Sequence, residues 1–224
     1  MDRHSAERGG SLCTHIALSW GMDILRENLL GDGERGCFDG QFLLAMPGLD
    51  DSTFARTVVY IVAHNSDAAV GFVLNRPKSI SFAELMVQLD LIKSKDVATL
   101  STAAQTMNVR CGGPLDAGRG FVLHSDDYES DSTMPVSDEL RLTATVDILR
   151  AIINGRGPLR VTMMLGYAGW GAGQLESEVS ANGWLTCPAI DDMVFDDDLD
   201  TQYDRAFAAM GIDPVMLSRD CGQA

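Results

Sequence analysis

The chain has 224 residues, and its 17 Lys plus Arg against 32 Asp plus Glu give a formal net charge of −15. A hydrophobic content of 46% supplies material for a real core and separates the chain from disordered sequences. The acidic balance excludes non-specific gripping of phosphates, which runs on clustered Lys and Arg, and 7% aromatic residues leave too few rings for a base-stacking platform.

In chain order, residues 1–36 read as an N-terminal extension, partly mobile, with a short amphipathic turn around Ile24–Leu30 and a candidate alternative start at Met22. One compact domain is expected over residues 37–224. Strands are expected at Phe42–Met46, Thr57–Ala63, Val70–Leu74, Val109–Cys111, Phe121–His124, Arg160–Leu165 and Trp184–Cys187. The run Val58–Ala63 is apolar without alternation, and Val161–Leu165 nearly so. A strand with one wet face alternates, so these two predict cover on both faces.

Helices supply that cover. Ser81-Phe82-Ala83-Glu84 is a capping box, in which the Ser hydroxyl and the Glu carboxylate each satisfy a free N–H of the first turn. Ile148, Leu149, Ile152 and Ile153 form one apolar stripe on a helix from about Ala144 to Ile153. Further helices are expected at Gln174–Ala181 and Gln202–Met210, and Asp213-Pro214 reads as cap and first-turn proline of a last short one. The expected architecture is α/β (α+β): a single domain whose mixed sheet carries helices on both faces, in a three-layer αβα-like arrangement.

Apolar runs this short fall far below the ~20 residues that span a bilayer, and the polar start lacks a signal peptide's apolar core. A cytoplasmic location with no membrane contact is expected. The five cysteines (Cys13, Cys37, Cys111, Cys187, Cys221) form no CxxC pair, so they read as reduced, buried, small apolar residues. Four His without HExxH or HxH spacing give no metal signature. The acidic run Asp191–Asp204 fails the calcium-loop pattern, since counting from Asp196 puts Thr201 at the Gly position and Phe207 at the Glu position. A solvated acidic loop feeding a helix N-terminus accounts for it.

Gly31-Asp32-Gly33-Glu34-Arg35-Gly36 has the letters of a dinucleotide fingerprint but lacks the strand before and the helix after, so it reads as a loop. Leu165–Gln174 is glycine-rich, follows a strand and opens a helix, where free N–H groups can face an anion. Against that, no Lys or Arg lies in or beside it, and Glu176 and Glu178 already complement the helix dipole. A tight turn that lets Tyr167 and Trp170 pack accounts for the same residues.

Asn75-Arg76-Pro77-Lys78, Arg110-Cys111-Gly112-Gly113-Pro114 and the strand from Arg119 to His124 bring cations to turns. If these meet, Arg76, Arg110, Arg119, His64 and His124 line an anion-accepting cleft. The competing reading pairs each Arg with a carboxylate and each His with strand-end backbone. No GxSxG or SxxK motif is present, and nothing in the sequence places His64 or His124 beside Cys111, the one thiol in a strained-looking turn, so no catalytic residue is assigned.

The blocks GQFLLAMPGLDDSTFARTVVYIVAH, GFVLNRP, RCGGPLDAGRGFVLH and LGYAGWGAGQLESEV followed by GWL, in this order from Phe38 onward, resemble the YqgE/AlgH family. The resemblance implies a single α/β domain, cytosolic and bacterial. It also implies a family in which some members carry a transcriptional-regulator label and none transfers catalytic residues.

The resulting expectation is a regulatory protein that acts by contact with a protein or small ligand rather than by catalysis, with no cofactor and no direct nucleic-acid binding. The alternative is a nucleotide or small-metabolite binding protein or enzyme. Its cleft would be formed by Asn75, Arg76, Arg110, Gly112, Gly113, Arg119, His124, Tyr167, Gly169, Trp170, Gly171 and Gln174. A ligand-free scaffold is the third reading.

Overall fold

The run Val58–Ala63 lacks polar alternation because both of its faces are covered. In the computed structural model, which describes residues 36–49 and 51–217, it forms β2 (Val58–His64) between β1 (Gln41–Ala45) and β3 (Ala68–Val73). One face of this trio carries Phe42, Leu44, Tyr60, Val62 and Phe72; the opposite face carries Leu43, Val59, Ile61, Ala69 and Val73. Each such side chain, fully buried, contributes roughly 1.5–3 kcal/mol.

The remaining strands are β4 (Pro77–Ser81), β5 (Asn108–Cys111), β6 (Leu115–Ser125), β7 (Met134–Pro135), β8 (Leu140–Thr143), β9 (Val161–Gly171) and β10 (Trp184–Pro188). The main path runs β10-β1-β2-β3-β9-β6-β8-β7, with β4 pairing β5 and β5 pairing β9. All pairings are antiparallel except β5 with β9.

β9 is the junction. Its last residues pair with β3, while Val161–Leu165 sits between β5 and the second half of β6. The sheet therefore branches and curls into a half-barrel. At the branch, the turn from β5 to β6 crosses the β9 backbone. A Cβ on Gly113 (φ +157) would lie 2.1 Å from the Tyr167 carbonyl carbon, and one on Gly166 (φ +77) 2.7 Å from the Gly113 and Leu115 oxygens. Only glycine permits both the approach and the left-handed backbone.

Six helices are described: α1 (Phe82–Gln88), α2 (Thr102–Thr106), α3 (Val146–Ile153), α4 (Gln174–Ser180), α5 (Asp191–Val194) and α6 (Leu199–Ala209). They cover the sheet in three patches. α5 and α6 close one face through Met193, Val194, Tyr203 and Phe207. α4 closes the opposite face beside Trp170 and Trp184. α1, α2 and α3 pack on Val109, Val122 and Met163 at the other end of β9. The expected mixed α+β architecture, with apolar strands covered on both sides, is present. The helices cap a curled sheet patch by patch, where a mixed sheet between helices on both faces, in a three-layer αβα-like arrangement, was expected.

The Ser81–Glu84 capping box forms as expected: the Ser81 Oγ accepts the Glu84 N–H at 3.3 Å and Glu84 Oε2 accepts the Ser81 N–H at 2.8 Å. The Ser81 N–H and the Ser81 hydroxyl both donate to Glu84 Oε2 and lower the pKa of its carboxyl. Asp213 caps a single 3-10 turn at Pro214–Met216. The acidic run contains α5, and Asp198 caps α6 by accepting the Thr201 N–H. The GxGxxG stretch before Gly36, the Ile24–Leu30 turn, Met22, Cys13 and Cys221 lie outside the described residues.

Candidate functional site

The strongest constellation gathers on α4 and the strands beside it. Gln174 opens the helix and Glu178 follows one turn later, which puts both on one face. Gln174 Oε1 accepts the Gly171 N–H at 3.1 Å, and its Nε2 donates to Glu178 Oε1 at 2.8 Å. Trp170 at the end of β9 and Trp184 at the start of β10 each donate their indole N–H to Glu178 Oε2, at 2.9 and 2.8 Å. Phe54 stacks near Trp170 (6.4 Å between centroids) and meets Trp184 edge-on (5.5 Å).

A concave pocket of about 530 Å3 opens over this cluster. Leu49, Asp51, Phe54, Pro114, Leu115, Gly169, Ala181 and Gly183 complete its wall around Trp170, Gln174, Glu178 and Trp184. The volume falls in the range of small-molecule sites, which are apolar with a few placed polar groups. Leu115 leaves 43% of its surface open, and no Lys or Arg lines the pocket. Glu178 has no cationic partner among the described residues.

Of the twelve residues expected in a cleft, Gly169, Trp170 and Gln174 line this pocket, and Gly171 is tied to Gln174. The segment expected as a loop from Leu165 to Gln174 is strand as far as Gly171, because β3 on one side and Leu115 of β6 on the other supply ladder partners. Ala168–Gly171 pair with β3, and the Gly171 N–H donates to Gln174 Oε1; the turn proper is Ala172-Gly173. Gly113 packs on the Tyr167 backbone, and Gly112 approaches the Gly166 carbonyl. Tyr167 packs edge-on to Phe121, and burial raises its hydroxyl pKa.

The other expected residues serve the frame. Asn75 Oδ1 accepts the Val58 N–H and its Nδ2 donates to the Arg56 carbonyl, while Arg76 donates to the Ala55 carbonyl. Arg119 pairs with Asp116 at 3.0 Å. Arg110 is buried, and its guanidinium donates to the carbonyls of Leu74, Val194 and Asp196. Burial pushes its pKa down to about 10, against the opposing pull of Asp197 and Asp196.

His124 is fully buried; Nδ1 donates to the Ser125 carbonyl, so Nε2 accepts from the Thr143 hydroxyl at 2.9 Å. His64 bonds Glu176 at 2.9 Å. Neither histidine lines the pocket or reaches Cys111, whose thiol faces the Gly113 carbonyl. Arg76, Arg110, Arg119 and both histidines each have a backbone, hydroxyl or carboxylate partner, and none of the five lines the pocket.

Cys37 is exposed, contrary to the expectation of buried cysteines, while Cys111 is half-buried and Cys187 buried. Among the described residues no His, Cys, Asp or Glu cluster is placed to hold a metal ion, and no helix is long and apolar enough to cross a membrane.

Glu178, Phe54, Asp51 and Leu115 belong to the pocket and were not expected there. Glu178 could have been suspected from its spacing to Gln174. A second, more open concavity of about 620 Å3 lies between Arg56 and the chain after α6; there Arg56 is already paired with Asp204 at 2.8 Å and stacked on Tyr203.

The family model described as AlgH-like matches residues 42–215. A UPF0301 protein of Agrobacterium fabrum is 57% identical over 196 residues, 88% of this chain and 98% of the relative. One from Rhizobium leguminosarum is 58% identical over 191 residues, 85% of this chain and 95% of its own. The solution structure of AlgH from Pseudomonas aeruginosa, 39% identical, superposes with a TM-score of 0.68 over 84% of this chain and 96% of that one. A crystal structure from Corynebacterium diphtheriae at 19% identity and TM-score 0.62, covering 83% of this chain and 94% of that one, shares the fold. With the family model spanning the sheet from β1 to the turn after α6, and close relatives aligned over most of their length, this chain belongs to the AlgH-like family.

Proposed function

We propose that this chain is a cytoplasmic regulatory protein that works by contact, binding a small ligand in the Trp170–Trp184 pocket. One observation carries the reading: two indoles from different strands converge on a single carboxylate at the floor of an open, largely apolar cavity. Pockets of this size with a few convergent polar groups are the usual form of a ligand site. A nucleotide fits poorly, since its phosphates would meet Asp51 and Glu178 with no Lys or Arg to receive them. The −15 charge likewise opposes direct reading of a duplex.

Thermal-shift screening of the full chain against common metabolites tests the proposal, with Ala181→Phe as the control. Ala181 ends α4 at the pocket wall, exposed, so a phenyl group there fills the cavity without entering the core. A true ligand stabilises the wild type in proportion to RT ln(1 + [L]/Kd), about 2.7 kcal/mol at a hundred times Kd, and leaves the variant unmoved. Stabilisation that persists in Ala181→Phe, or a screen in which nothing stabilises the wild type, overturns the reading.

A further inference from the structure

We infer that the pocket selects a small organic cation: a protonated amine attached to a short apolar body. The inference rests on the ligand-binding reading above and names the class of ligand.

The argument starts from Glu178. Its carboxylate is half-buried at the pocket floor, and its three recorded hydrogen bonds all come from neutral donors: two indole N–H groups and the Gln174 amide. Hydrogen bonds from neutral groups orient a carboxylate but leave its net charge uncancelled. Two neighbouring carboxylates are answered differently: Glu176 of α4 by His64 and Asp204 of α6 by Arg56.

Two donors occupy Oε2 and one occupies Oε1, so Oε1 keeps an open lone pair. Asp51 adds a second negative charge to the wall, exposed and without an ion-pair partner among the described residues. The lining also includes Phe54, Leu115, Pro114 and the two indoles, which offer apolar surface and ring quadrupoles that favour a cation over an anion. The charge, the open acceptor and the apolar wall point to one chemistry: an ammonium on an apolar stem.

The test uses three probes of similar size and different charge: 2-phenylethylamine, 2-phenylethanol and phenylacetate. Each is titrated into the full-length protein, with the indole N–H resonances of Trp170 and Trp184 followed by NMR. The amine is expected to shift both resonances and bind at least tenfold more tightly than the alcohol, and the phenylacetate not to bind. Glu178→Gln keeps an acceptor for the indoles and removes the charge; it is expected to bring amine and alcohol within threefold of each other. Asp51→Asn, at an exposed position outside the core, is expected to weaken the amine alone by about threefold, and serves if the first variant fails to fold.

If amine and alcohol shift the indoles with equal affinity, the cation class is refuted and the ligand pocket stands. If no probe, at concentrations up to its solubility, moves either indole resonance, both fall. Full amine preference in either folded variant also overturns the assignment.

Discussion

Arg110→Met removes a guanidinium that ties the segment joining α5 to α6 down onto β3. Three N–H···O bonds are lost, to Leu74, Val194 and Asp196; the Val194 carbonyl keeps the Thr162 hydroxyl at 3.2 Å. Bonds from a charged donor contribute roughly 1.5–3 kcal/mol each, about 4.5–9 kcal/mol together. Against this stands the cost of burying the cation. A pKa of about 10 in place of 12.5 corresponds to roughly 3 kcal/mol, which Met relieves. The net expected loss is about 1.5–6 kcal/mol, or a fall in Tm of roughly 3–24 °C for a domain of this size.

Arg110→Lys separates charge from geometry. Lysine keeps the burial cost and lacks the planar fork, so it is expected to be no better than Met. Urea unfolding followed by circular dichroism gives the stabilities, and amide exchange over residues 191–198 reports the loosened segment. A loss below about 1 kcal/mol for Arg110→Met, or near-wild-type stability for Arg110→Lys, would refute the reasoning.

His124 gives a pH signature. Burial lowers its pKa below the unfolded value of about 6.5, so the unfolded chain binds the extra proton first. Its contribution to stability is complete above pH 6.5 and declines as the pH falls below it, no more steeply than about 1.4 kcal/mol per pH unit. His124→Gln should flatten that part of the stability profile, and an unchanged slope counts against the assignment. Gly113→Ala places a methyl group 2.1 Å from the Tyr167 backbone. It should cost more than about 4 kcal/mol or abolish soluble expression, and a variant within 1 kcal/mol of wild type would remove the crossing from the account of the fold. Trp184→Phe and Glu178→Ala each remove the hydrogen bond these two residues share, so a double-mutant cycle should return a coupling of about 0.5–3 kcal/mol, whereas additive losses would mean the bond is not formed in solution.

What the sequence showed and what it hid divide along a physical line. Non-alternating runs such as Val58–Ala63 and the Ser81–Glu84 box were legible because burial on two faces and helix capping leave marks within a few residues. β4, with the polar sequence Pro77-Lys78-Ser79-Ile80-Ser81, was invisible because its strand character comes from its partner β5 rather than from its composition. The end of β9 was read as a loop for a related reason. Gly166, Gly169 and Gly171 resemble turn residues when seen alone, yet Gly166 is there because another backbone crosses it, and the ladder with β3 continues to Gly171.

The same distinction governs the candidate site. Arg110 looked like a ligand-binding cation because its type is legible and its burial is not; only the fold shows that three carbonyls already occupy it. Glu176 and Glu178, two residues apart on one short helix, look alike in sequence as acidic complements to the helix dipole. The strands separate them, turning Glu176 to a histidine and Glu178 to two indoles. A buried imidazole engages the first, whereas two indoles and an amide bind the second and leave one of its oxygens open beside a cavity. The difference in partner, rather than any difference in the residues themselves, makes one carboxylate structural and the other a candidate for recognition.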